Sequence, residues 1–227
     1  MILRVSYNIK RREVSRLYIF LVMKYSDIDP RKSAFLFELD NVLYPEKDYY
    51  FQVYYLFAGM LEYIELVDAK AATDLMVNTY IERDKDEVFN AIQEEYQLNE
   101  KYRANFEHLC TTANVPLKLL LYQNMLNLLQ EIVIDRKKIF IVTNGNPAEQ
   151  LNKIKHTEWH GLENYLICYF ANELSAKPEP DIVHLILKEH NLQRRDMLMI
   201  ENAEADVICA QSCGIDHINV AQFLHKL

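Results

Sequence analysis

Two carboxylates stand two residues apart, Glu38 and Asp40, just after the apolar run Ala34-Phe35-Leu36-Phe37. Thr143 and Asn144 close a second apolar run, Lys138-Ile139-Phe140-Ile141-Val142. Lys177 follows a third, Tyr165 to Phe170, after a short loop. Glu201 and Asn202 close a fourth, Met197-Leu198-Met199-Ile200, with Asp206 one helical turn further on. Carboxylates at such positions suit acid–base or nucleophilic work and hard oxygen ligation. A lysine and a hydroxyl suit the neutralisation and holding of negative charge.

Such groups act together only if the chain gathers them. The apolar runs are short, aromatic or β-branched, and read as buried strands. Between them lie helical stretches at Ala148 to Ile154, Asp181 to His190 and Ala203 to Cys213, the last with Gly214 as its C-terminal cap. His217 to Val220 reads as a final strand. Strands alternating with helices imply right-handed crossovers and a parallel sheet. In such sheets the ligand site lies off the carboxyl ends of the strands, where all four polar clusters fall.

From Lys47 to Ile134 the pattern is helical throughout. Tyr54, Phe57, Leu61 and Ile64 recur at three- and four-residue steps, and so do Leu117, Leu120, Leu121, Met125 and Leu128. This block reads as a helical bundle inserted after the first strand. Its many tyrosines at helical spacing read as packing. The domain organisation expected is an N-terminal extension at 1–32, an α/β core at 33–46 and 135–227, and a helical cap at 47–134.

The chain has 227 residues, 50% of them hydrophobic, enough for a sizeable core. Its net charge of −8, without a Lys/Arg cluster, disfavours a nucleic-acid partner. The apolar run Leu17 to Met23 is too short to span a bilayer and lacks a small-residue cleavage site after it. It reads as a short strand or part of the extension, and no membrane association is expected. Cys110, Cys168, Cys209 and Cys213 show no ligand spacing and read as free thiols of a cytoplasmic protein. His156, Trp159 and His160 lie close in sequence, again without ligand spacing.

The segment Phe35 to Pro45, FLFELDNVLYP, resembles the first motif of the haloacid dehalogenase superfamily, with wording similar to its pyrimidine-nucleotidase-like branch. Thr143-Asn144-Gly145 resembles the second motif, Lys177-Pro178 the third, and Ile200 to Gly214 the fourth. The resemblance covers Ser33 to the C-terminus. It implies an α/β fold, a Rossmann-like parallel-sheet core with an inserted all-helical cap. It also implies a phosphomonoester site that uses Mg²⁺. By the same resemblance Asp40 is the general acid/base and a metal ligand through its carbonyl. Thr143 and Asn144 hold the phosphoryl group, Lys177 neutralises charge, and Asp206 supports the metal shell.

Three positions depart from the motifs. Glu38 stands where the nucleophilic aspartate belongs, Val42 where a threonine is usual, and Asn202 where a metal-binding aspartate is usual. The extra methylene of Glu38 displaces its oxygens by about 1 Å, a misplacement that costs roughly 10²-fold in rate. Asn202 removes a negative charge from a metal shell of Glu38, Asp40, Asn202 and Asp206. Taken singly, Asp40 also suits a helix N-cap, Lys177 a solvated loop, Thr143 a strand-end cap, and Asn202 or Asp206 a cap of the following helix.

Three functions stay open on the sequence. One is a weakly active or inactive relative that binds a small phosphorylated molecule. Another is an active Mg²⁺-dependent phosphatase on a metabolite such as a nucleotide. The third is a non-enzymatic binding protein that uses the cap. Substrate identity and oligomeric state are not legible.

Overall fold

A computed structural model describes residues 22–224. The expected strand or extension at Leu17 to Met23 lies largely outside the described residues; Val22 and Met23 are not in a strand. The chain runs β1 (Ala34–Phe37), α1 (Lys47–Glu65), α2 (Ala69–Glu82), α3 (Val88–Tyr96), α4 (Lys101–Thr112), β2 (Leu119–Leu120) and α5 (Gln123–Ile134). It continues through β3 (Lys138–Thr143), α6 (Pro147–His156), β4 (Thr157–Glu158), β5 (Leu166–Phe170), α7 (Asp181–Glu189), β6 (Met197–Glu201), α8 (Glu204–Cys213) and β7 (Asp216–Asn219).

Five strands form one parallel sheet in the order β5-β3-β1-β6-β7. The central strands are apolar on both faces because helices cover both. Phe35 and Phe37 of β1, Ile139 and Ile141 of β3, and Leu198 and Ile200 of β6 join an apolar cluster that continues into the cap helices. The alternate residues Ala34, Leu36, Phe140, Val142, Met197 and Met199 pack on α7 and α8. Register thus sends every second side chain to a different core. A short parallel pair, β2 with β4, lies apart from the main sheet.

The inserted block departs from an unbroken helical bundle. Helices α1, α2 and α3 pack in series and α4 packs on both α1 and α6, but the chain is non-helical at 113–118 and extended at β2. Pro116 has no N–H to donate and disfavours helix at the residue before it. Beyond this break, α5 packs on β3 and buries Met125, Leu128, Leu129 and Ile132. By packing it belongs with the sheet, although its periodicity matches that of the cap helices.

The core also begins before Ser33. Ile28 is buried in the main apolar cluster, and the Met23 N–H donates to the Gln222 carbonyl at 2.8 Å. Lys32 is buried, its ammonium 2.9 Å from the Met197 carbonyl and also paired with Asp216. The described part of the expected extension is therefore docked on the core.

Among the described residues, no helix is long and apolar enough to cross a membrane.

Candidate active site at the carboxyl edge of the sheet

The carboxyl ends of β1, β3 and β6 lie side by side, so the polar residues that follow them meet. Glu38 follows β1 directly. Its Oε1 accepts the Leu39 N–H at 2.9 Å and the Thr143 hydroxyl. Its Oε2 accepts from the Lys177 ammonium. Lys177 is 3% exposed, and its Nζ also reaches the Val142 carbonyl at 2.7 Å and Asp206 Oδ1 at 2.6 Å. Burial alone would lower the lysine's pKa, but the adjoining Glu38 and Asp206 carboxylates override it and raise it. Burial pushes the Glu38 carboxyl above its usual range, with Lys177 and Thr143 pulling against it.

Asp40 stands in a second cluster. The Tyr44 hydroxyl donates to its Oδ1 at 2.9 Å, and Gln150 donates to its Oδ2 at 3.1 Å. Lys153, fully buried, places its ammonium 2.7 Å from the same Oδ2 and 3.0 Å from Glu149 Oε1. Glu149, Gln150 and Lys153 share one side of α6, which begins just after Thr143. Asn146 caps this helix through Ala148 N–H, with Pro147 at its first position. Burial works against the Lys153 ammonium, but Asp40 and Glu149 hold its pKa above the usual value.

The motif residues thus form one site with unequal engagement. Glu38, Thr143, Lys177 and Asp206 touch one another. The Asn144 side chain is spent elsewhere: it donates to the Lys177 carbonyl at 2.8 Å and accepts the Lys177 N–H at 2.9 Å, so it pins the lysine loop. The adjoining Gly145 N–H is engaged too, donating to Asn172 Oδ1 at 2.9 Å. Asn202 is exposed on the cavity wall. Helix α8 is N-capped at Ala203 with no side-chain cap bond, so neither Asn202 nor Asp206 acts as its cap. Glu201 turns away to the edge strand, where Asn219 donates to it at 3.2 Å.

Sequence reading missed Lys153, Glu149, Gln150 and Tyr44. The available signal was the i,i+4 pair Glu149–Lys153 on the helix that opens after the second motif.

A cavity of about 700 Å³ lies between this edge and the cap. Glu38, Asp40 and Asp206 line its floor, and Tyr54, Phe89 and Phe106 line its far wall. Asp206 Oδ2 is buried without a partner, and so is the Tyr54 hydroxyl. No cluster of three His, Cys, Asp or Glu side chains able to hold a metal ion exists among the described residues. The oxygen that suits a hard cation is the unpartnered Asp206 Oδ2, since both Glu38 oxygens already accept hydrogen bonds.

Residues 35–220 match the family model for haloacid dehalogenase-like hydrolases. The chain belongs to this family. Solved structures agree on the haloacid dehalogenase-like fold. A hydrolase from Streptococcus pneumoniae TIGR4 aligns with a TM-score of 0.53 at 14% identity, covering 87% of this chain and 95% of that one. A haloacid dehalogenase-like family hydrolase from Xanthomonas campestris aligns at 0.53 with 18% identity, covering 86% of each chain. The CbbY protein of Rhodobacter sphaeroides, solved as a variant with xylulose 1,5-bisphosphate, aligns at 0.51 with 15% identity, covering 83% of this chain and 85% of that one. At these identities the likeness is one of fold. Comparison with curated proteins gives no match.

Proposed function

We propose that this chain is a haloacid dehalogenase-like hydrolase whose phosphomonoester site is held weakly active or inactive by its own Glu38. One observation carries the reading. The Thr143 hydroxyl and the Lys177 ammonium, the groups that family resemblance gives to the phosphoryl oxygens, are both bonded to the Glu38 carboxylate. The extra methylene carries that carboxylate into the place of the phosphoryl group. Glu38 then competes with the substrate as an internal anion and is also misplaced as a nucleophile. Shortening it frees both donors. Glu38→Asp is expected to raise turnover of a generic phosphomonoester about 10²-fold and to tighten inorganic phosphate binding. A wild-type rate in the ordinary enzyme range, on the order of 1 to 10³ per second, would sink the reading, and so would an unchanged Glu38→Asp.

A second reading, an active Mg²⁺-dependent phosphatase on a small phosphorylated metabolite, is favoured by the orphan Asp206 Oδ2. Asp206, Glu38 and the Asp40 carbonyl would hold the ion, which supplies shielding between a carboxylate and a phosphate dianion. Lys177 adds a fixed charge beside them, and Asp40 is the proton-transfer group. On this reading Glu38→Ala abolishes turnover. Nucleotides and sugar phosphates are the classes to assay, the latter because the CbbY structure holds a sugar bisphosphate.

A further inference from the structure

Lys153 lies outside the four motif segments and is fully buried behind the cavity wall. Its ammonium bridges Asp40 and Glu149 at 2.7 and 3.0 Å. It also lies over two cap rings, 4.8 Å from the centroid of Tyr50 and 5.4 Å from that of Tyr49. Glu149 is tied to the cap as well, because the Tyr50 hydroxyl donates to its Oε1 at 2.5 Å. Asp40 and Glu149 line the cavity, whereas Lys153 is not among its lining residues. A ligand in the cavity thus meets two carboxylates whose charge is offset from behind.

The charge count shows what this offset does. Seven carboxylates line the cavity; Glu46 pairs with Lys85, and the four in contact with buried ammoniums are Glu38, Asp40, Glu149 and Asp206. Two ammoniums, Lys177 and Lys153, pair with them. Without Lys153 the site would be more negative by one unit. It would repel a phosphate dianion more strongly and attract a divalent cation more strongly. We propose that Lys153 is a positioning residue that serves as the resident counter-cation of the site. Through Asp40 and Glu149 it sets the balance between anion and divalent-cation binding. The anion half of this proposal rests on the phosphate-binding reading above; the cation half does not.

A lysine that only stabilised the fold would shift the melting temperature and leave that balance alone. The test is calorimetric titration of the full chain with Mg²⁺ alone and with inorganic phosphate alone. Lys153→Met is expected to bind Mg²⁺ roughly tenfold more tightly and phosphate roughly tenfold more weakly, the effect of one unit charge across a partly screened site. Lys153→Arg, which keeps the charge, should bring both affinities back toward wild type. Glu149→Gln removes one negative charge and should move both the opposite way. Its carboxylate lies on the cavity wall, so the variant tests the proposal even if Lys153→Met fails to fold. Affinities that move together, or that move in neither variant, overturn the proposal. If neither the wild-type chain nor Glu38→Asp binds phosphate, the phosphate reading is overturned, and the Mg²⁺ shifts alone then decide the role of Lys153.

Discussion

Lys177 is nearly inaccessible to solvent, and two carboxylates and a carbonyl share its ammonium. Such a group is expensive to remove because its partners stay buried with their charge. Lys177→Met is expected to destabilise the fold by about 3–5 kcal/mol, read from urea unfolding; a loss under about 1 kcal/mol would mean that water reaches the pair freely. The residue types at the motif positions, and their place at the strand ends, were legible in the sequence. Glu38, Asp40, Thr143, Lys177 and Asp206 all lie at the sheet edge where the strand pattern put them. What each touches was not legible. Nothing in the sequence says that Thr143 spends its hydroxyl on Glu38, or that Asn144 holds a backbone segment. Those pairings depend on side-chain reach across strands that are distant in sequence.

Elements were legible where one signal dominated. The strands and the helices around them were recovered to within a few residues because buried parallel strands are continuous apolar runs. Helix α8 ends at Gly214 with φ +65°, in the left-handed region that glycine enters at little cost. A Cβ there would meet Arg194 no closer than 3.6 Å, so the cost of a substitution is backbone strain alone. Gly214→Ala should therefore lower stability by about 1–2 kcal/mol, seen as a lower thermal midpoint. No change would mean that the helix end relaxes to another cap. Periodicity alone gives no sign that α5 packs on β3 or that α4 packs on α6 as well as on α1, because an amphipathic helix has the same pattern against either neighbour.

At the scale of the molecule, cap and sheet share a core. Phe35 and Ile139 of the sheet belong to the same apolar cluster as Phe57, Phe89 and Phe106 of the cap. The cap ring of Phe106 stacks on Tyr54 at 6.0 Å and meets Phe57 edge-on at 5.1 Å. With no break in apolar contact, the two parts should unfold together. Far-ultraviolet and near-ultraviolet circular dichroism are expected to trace one coincident urea transition; two separated midpoints would show that the cap melts independently.

The sequence by itself determined the alternation of strands and helices, the inserted helical block, and the polar residues that end each strand. These are local properties, written in periodicity and in motifs a few residues long. Only the tertiary structure decided that Glu38 reaches the Thr143 hydroxyl and the Lys177 ammonium, that Asp206 keeps one oxygen without a partner, and that Lys153 stands behind Asp40. Each of these depends on an ångström or less of side-chain reach between segments brought together only by the closed sheet. Short-range patterns carry no information at that distance.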